Sequence, residues 1–435
     1  MDNQTALTSF YWLFNVITMC IMLYVFYTKC VSKDQFKLFI TSLAFKIVAT
    51  VVLSYLFLYH FSYVTDPQTF QLESTKLINK CIEEPKLIWR LFIENQPIEG
   101  LNYTDRTRSY YFIKIIAVLN LFTGSNYWIN SFWLSLFCFL SVWYLLQKIA
   151  IHSANFYLST AIALLFVPTT IFWTSGLLKE SICFGLLCFL IGNYLDFLFK
   201  KHKTKSIVVS LIASYVLYAI KFYYLGAFLL VTVSVYSSKQ LSDYLHLKIW
   251  VLKSIVSLSV LIIMALLANA LTIKIYTVGI LDLIYNNHIM FRDTHVINFN
   301  FEGLIEYDYF SFLPYLHKAL LHGLFMPLPN FTHSFFEWVE AATNFFTLIL
   351  FIISCFLVVK NRADYSKTEY YILITILVYV MISALAIGFS TPNWGSLARY
   401  KVMYFPFLHA ILLYVLSKTS LFHRLRVFLR PISLF

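Results

Sequence analysis

The stretch Phe172-Trp173-Thr174-Ser175-Gly176-Leu177-Leu178-Lys179-Glu180-Ser181 separates two strongly apolar runs, 155–173 and 182–199. A glycine, a lysine and a glutamate fall together at one end of both runs. If each run crosses a bilayer, the stretch is a tight turn at the membrane surface with a charge pair held against it. Its reading decides the fold, because the same alternation of long apolar run and polar break recurs along the chain. About 20 apolar residues cover the hydrocarbon core of a membrane, and several runs reach that length.

Composition points the same way. Of 435 residues, 60% are hydrophobic and only 12% charged, where a soluble domain is about 25% charged. The expected fold class is all-α: a polytopic transmembrane helical bundle, a single integral membrane domain over 1–435. The formal charge is +12. No basic patch on a soluble domain accompanies it, so nucleic acid is not an expected partner. Six of the seven cysteines (Cys20, Cys30, Cys138, Cys183, Cys188, Cys355) lie in or at the ends of apolar runs, and only Cys81 falls in a polar segment. That pattern gives neither a disulfide framework nor a CxxC metal pair. No basic region precedes the first run and no small-x-small site follows it, so no cleavable signal peptide is expected.

Lysines and arginines collect in cytoplasmic loops. Lys29, Lys33 and Lys37 therefore put the first loop inside and the N-terminus outside. The runs 8–27, 38–61, 127–146, 155–173, 182–199, 206–220, 222–236, 249–271, 338–359, 370–389 and 402–416 make about eleven spans. The later basic clusters at 200–205, 360–362 and 418–430 then fall on the cytoplasmic side, with the C-terminus.

Two long outer segments remain, 62–125 and 272–337. In the first, Leu72, Leu77 and Ile78, then Leu87, Ile88, Leu91 and Phe92, recur at helical spacing. They predict amphipathic helices on the membrane surface. The run 110–123 carries Lys114 and reads as re-entrant or interfacial. The run 310–325, with histidine and lysine inside it, reads as an interfacial helix.

Charges at the outer ends of the spans are few: Asp66, Lys179, Glu180, Lys221, Arg292, Asp293, His317, Lys318 and Arg399. Basic residues there run against the orientation rule. At headgroup level they suit a phosphate. Lys179 and Glu180 read either as a self-paired surface ion pair or as a lysine aimed at a lipid phosphate and oriented by the glutamate. Lys221 and Arg399 read as phosphate ligands or as side chains snorkelling to the interface. Asp66, just before Pro67, reads as a helix N-cap or as a catalytic carboxylate. The latter is a general base or the ligand of a divalent cation, Mg or Mn.

His288, His295, His317, His322 and His333 show no HxxxH or HExxH spacing, which argues against a zinc site. Asn102-Tyr103-Thr104 matches a glycosylation sequon. The span interiors are almost free of charge, with Lys46 and Lys253 the exceptions, both placed toward the inner halves, which argues against a transport path.

The carboxylate at the start of the first outer segment, leading into surface helices, resembles the C-type (GT-C) membrane glycosyltransferases. Four motifs are similar to uncharacterised bacterial members that assemble surface polysaccharides: Phe172-Trp-x-Ser-Gly-Leu-x-Lys-Glu180; Lys221-x-Tyr-Tyr224; Pro327-x-Pro329 ahead of Glu340 to Asn344; and Asn393-x-Gly-x-Leu-x-Arg399-Tyr400. The likeness runs from about Ser62 to Tyr400. It departs from the family in the lone Asp66, where many members have an acidic pair, and in an extra N-terminal span.

The resemblance implies transfer of a sugar from a polyprenyl-phosphate donor to a glycan or lipid acceptor at the outer face of the bacterial plasma membrane. Asp66 would be the catalytic or metal-assisting acid. Lys179, Glu180, Lys221, Tyr224, Arg292, His317 and Arg399 would bind substrate, with Lys179, Lys221 and Arg399 on the phosphate. A polysaccharide polymerase or ligase, a lipid-linked glycan flippase and a non-enzymatic assembly subunit are the alternatives.

Overall fold

The structure, a computed structural model, describes residues 3–418 apart from 62–63, 93, 95, 104–106, 200–203, 246–249, 294–296, 306–307, 330–334 and 361–365. Among the described residues every regular element is helical. In order, these are α1 (Asn3–Cys30), α2 (Phe36–Tyr55), α3 (Asp66–Glu83), α4 (Lys86–Phe92), α5 (Thr107–Thr123), α6 (Tyr127–His152), α7 (Ala154–Leu165), α8 (Pro168–Trp173) and α9 (Lys179–Leu198). There follow α10 (Thr204–Tyr244), α11 (Trp250–Tyr276), α12 (Ile280–Asp293), α13 (Leu316–Phe325), α14 (Phe335–Lys360), α15 (Lys367–Ser390), α16 (Trp394–Lys401) and α17 (Phe405–Ser417). The basic loops at 200–203 and 361–365, the tail, His295, His333 and sequon residue Thr104 lie outside the described residues.

Eight of these helices are long and apolar enough to cross a membrane, and nine if α16 and α17, bent by 61° to each other, count as one. The expected count was about eleven. The difference arises at two places. α7 and α8 are separately too short, because the chain breaks at Phe166 and restarts on Pro168, whose fixed φ suits a first helical turn. The runs 206–220 and 222–236 appear as one element, α10, broken at Lys221 (φ −146°, ψ 70°).

The two halves of α10 nevertheless lie antiparallel. Asn193 near the end of α9 donates to Ser210 (2.8 Å), Lys221 reaches Glu180 at the start of α9 (2.7 Å), and Tyr236 returns to Phe197 (ring centroids 4.8 Å).

Sequence chemistry explains several boundaries. Asn126 caps α6, its side chain accepting from the Trp128 and Ile129 N–H groups, and Asn393 caps α16 through Ser396 N–H (2.8 Å). Ser366 and Glu369 form a reciprocal capping box at α15. α3 and α4 fall in the segment expected to be amphipathic, and α5 spans the run that carries Lys114. That lysine is buried and donates to the Leu91 carbonyl (2.8 Å); burial lowers its pKa to about 8.

α13, expected at the interface, is packed directly on α15. A Cβ added at Gly323 would lie 2.0 Å from the Ala384 carbonyl oxygen, and one at Gly388 would lie 2.0 Å from that of Ala319. Small residues four apart on each helix, Ala319 with Gly323 and Ala384 with Gly388, let the backbones touch.

The opening turn is covered by protein. Thr174, Ser175, Leu177 and Leu178 are buried. A turn inside a helical membrane bundle must have its free backbone groups satisfied by protein. Lys46 supplies this from α2, donating to the carbonyl (2.6 Å) and hydroxyl (2.7 Å) oxygens of Thr174. Lys46 thus serves the turn that leads into the ion cluster. The Gly176 N–H donates to Ser135 Oγ of α6 (2.7 Å). Gly176 itself has φ +69°, where other residues are strained.

Candidate functional site

Five charged residues from four separate parts of the chain converge above the turn. Glu180, in the first turn of α9, is their centre. Its Oε1 accepts from Lys221 Nζ (2.7 Å) and lies 3.2 Å from Arg399 Nε. The Arg399 N–H is not aimed at that oxygen, so this second contact is Coulombic. The other arm of Arg399, Nη1, donates to Asp66 Oδ2 (3.3 Å). The side chains of Glu180 and Lys221 are 2% and 4% exposed, that of Arg399 21% and that of Asp66 48%. The cluster therefore grades from a buried ion pair to an open carboxylate.

Local structure explains each position. Lys221 is the non-helical residue at which α10 folds back. Arg399 lies in the last turn of α16, where a cation is favoured by the helix dipole. Asp66 is the first residue of α3 and does not cap it: Thr65 occupies that position, its N–H taken by Gln68 Oε1 (2.8 Å). The Asp66 carboxylate is thereby left to Arg399.

Lys179 and Glu180 do not pair with each other, and Glu180 does not orient Lys179. Lys179 Nζ instead donates to Ser109 Oγ of α5 (2.8 Å) and stands over the Phe70 ring of α3 (4.7 Å). Adjacent residues at a helix start point about 100° apart, so the two side chains diverge. The result is a recessed lysine held by a neutral hydroxyl. Three cations against two carboxylates leave the cluster with one net positive charge.

The remaining expected residues divide. Tyr224 belongs to the cluster but supports it from within: its buried hydroxyl donates to the Tyr400 carbonyl (2.7 Å), while Lys221 lies over the Tyr400 ring (4.2 Å). Arg292 pairs with its neighbour Asp293 (3.4 Å) on an exposed part of α12, and His317 is exposed on α13. Among the described residues no hydrogen bond or ion pair joins either of them to the cluster. Asn102 is engaged by Glu73 through both its N–H (2.8 Å) and its side chain (3.3 Å).

Ser109 and Phe70 were not singled out by the sequence, since a serine and a phenylalanine carry no distinguishing signal in so aromatic a chain. Nor was Arg108, next to Ser109, whose guanidinium lies over Phe222 (4.7 Å). The span interiors are also less bare than the sequence suggested: Glu340, Lys401 and His409 are all buried between α14, α16 and α17. Near them His322 packs among Phe299, Phe301 and Trp394. Burial, with Lys318 nearby, lowers its pKa to about 4.

Taken together, fold and site define a multi-helix membrane protein with a recessed, net-cationic ion cluster. Comparison of the chain with family models, curated proteins and solved structures finds no match.

Proposed function

We propose that the protein is a membrane glycosyltransferase of GT-C-like architecture, moving a sugar from a polyprenyl-phosphate donor to a glycan or lipid acceptor at the outer face of a bacterial plasma membrane. The observation that carries this reading is the convergence of Lys179, Glu180, Lys221, Arg399 and Asp66 into one graded cluster. In this reading the membrane is crossed eleven times. α10 counts as two spans because its halves lie antiparallel, the broken pair α7–α8 adds one, and α16–α17 adds one to the eight. The N-terminus is outside and the C-terminus cytoplasmic.

The chemistry follows from the grading. When the glycosidic bond to the donor breaks, the departing polyprenyl phosphate gains negative charge. Cations fixed before the reaction stabilise that charge without having to reorganise. Glu180 fixes Lys221 and Arg399, and its own carboxylate is saturated by them. Lys179, bound only to a hydroxyl and an aromatic face, is the cation free to exchange Ser109 for a phosphate oxygen. Asp66, half-exposed and held by one contact, is the carboxylate placed to take the acceptor hydroxyl's proton.

A divalent ion at Asp66 fits poorly. Arg399 already occupies that carboxylate, and among the described residues no group of three His, Cys, Asp or Glu side chains could share an ion. No step is therefore routed through a metal.

The test is polyprenyl-phosphate affinity in Lys179→Ala. Loss of one charge-assisted contact, about 1.5–3 kcal/mol, should weaken binding about 10- to 100-fold. Unchanged affinity removes the phosphate assignment.

A further inference from the structure

A second polar centre lies apart from the Glu180 cluster, along the seam between α14 and α17. Glu340, Asn344 and Thr347 recur at helical spacing on one face of α14, and Lys401, Phe405 and His409 follow at four-residue intervals through the end of α16 into α17. Glu340, Lys401 and His409 are 5%, 1% and 4% exposed. Lys401 Nζ donates to Asn344 Oδ1 (2.6 Å) and to the Met326 carbonyl (3.2 Å), both neutral acceptors. Among the described residues no carboxylate lies within ion-pair distance of it, although Glu340 is close enough for the two charges to act on each other. The Trp173 side chain, from the opening stretch, lies close to Glu340, and Glu340 Oε2 is buried with no hydrogen-bond partner.

The tautomer of His409 is set by its surroundings. Its Nε2 lies 2.7 Å from Thr347 Oγ1. The single hydroxyl hydrogen of Thr347 is already donated to the Thr343 carbonyl (2.7 Å). With that hydrogen bond made, the imidazole donates at Nε2 and Nδ1 is an acceptor, buried and without a partner. Phe405 packs against both Lys401 (4.2 Å) and the His409 ring (4.5 Å) and shields them.

Two buried acceptors without donors thus lie near an ammonium that donates only to neutral oxygens, among α14, α16 and α17. An unpaired buried charge is costly, and ionisable groups retained among membrane helices are a functional signal. What relieves this arrangement is a proton.

We propose that the seam between α14 and α17 is a proton-binding site at which the Glu340 carboxylate takes up one proton from water, with Lys401 and His409 as its neighbouring donor and acceptor. The O–H bond forms at Glu340 Oε2 as one O–H bond of a hydronium ion breaks, and water leaves. The titratable groups that act on the centre are Lys401 and Tyr404 beside Glu340, and Lys401 beside His409. Tyr404 donates its hydroxyl to the Gly323 carbonyl (2.7 Å) and offers no proton to Glu340. The site does not rest on the transferase reading.

The test is a pH-difference infrared spectrum of the full chain in lipid nanodiscs. The expected result is a buried carboxylic-acid C=O band that grows as pH falls and is lost in Glu340→Gln. In Lys401→Met, which removes the neighbouring positive charge, its midpoint should move to higher pH. A spectrum unchanged by Glu340→Gln overturns the proposal. Should that variant fail to fold, a band unmoved in Lys401→Met overturns it instead.

Discussion

Replacing Glu180 by glutamine removes one negative charge from between two cations and leaves the shape of the side chain intact. At an effective dielectric of about 20, unit charges at the two observed separations, 2.7 Å and 3.2 Å, attract by about 6 and about 5 kcal/mol. Much of this is offset by the cost of taking the charges out of water. The measured consequence of deleting one member of a buried pair is about 3–5 kcal/mol, because the partner charge is left buried and uncompensated. Glu180→Gln should therefore cost about 3–5 kcal/mol in denaturant unfolding of the detergent-solubilised protein.

The cause can be isolated with Lys221→Met. If the loss comes from the stranded ammonium, the double variant should be less damaged than the sum of the singles by about 1–3 kcal/mol. Asp66→Asn breaks only the exposed arm of the same cluster and should cost about 0–1 kcal/mol. A Glu180→Gln cost below about 1 kcal/mol, or strict additivity with Lys221→Met, would refute the reasoning.

Other expectations follow from the same geometry. Asp66→Asn should abolish sugar transfer while leaving expression and melting near wild type; activity with a labelled polyprenyl-phosphate sugar decides it, and retained turnover removes the catalytic role. Gly323→Ala or Gly388→Ala forces a methyl group onto a carbonyl at 2.0 Å, so each should destabilise by about 1–3 kcal/mol or more. Gly226→Ala, with nothing within 4 Å of the added carbon, is the control and should be neutral or slightly stabilising by thermal melting. His322, with its pKa lowered to about 4 from about 6.5 in the unfolded chain, favours the folded state above pH 6.5. That contribution is lost as pH falls toward 4. His322→Phe should flatten the fall in melting temperature over that window, and an unchanged slope would remove the assignment.

The parts of this molecule that lipid dictates are legible in its sequence. Apolar runs of spanning length mark the main helices, and charges at their outer ends single out Asp66, Lys179, Glu180, Lys221 and Arg399 because those positions run against composition. Pairing was less accessible, since it depends on rotation and depth. Glu180 turns away from its neighbour Lys179 to meet Lys221 and Arg399, 41 and 219 residues further along the chain.

Arg399 and Lys401 sit two residues apart in the last turn of α16, yet the rotation of that helix sends one to Glu180 and the other to Asn344. The α13–α15 crossing rests on Ala319, Gly323, Ala384 and Gly388, which read as ordinary apolar residues until the helices meet. The turn at 172–181 looked like a surface feature because it is polar. Its polarity instead serves the buried backbone, with Lys46 and Ser135 as partners.

The most direct test of the central claim is an electron-cryomicroscopy map of the protein in lipid nanodiscs with a polyprenyl-phosphate sugar. The account predicts phosphate density against Lys179, displacing it from Ser109, with the sugar directed toward Asp66 and the polyprenyl chain leaving into lipid. A headgroup bound elsewhere, with Lys179 still on Ser109, would contradict it.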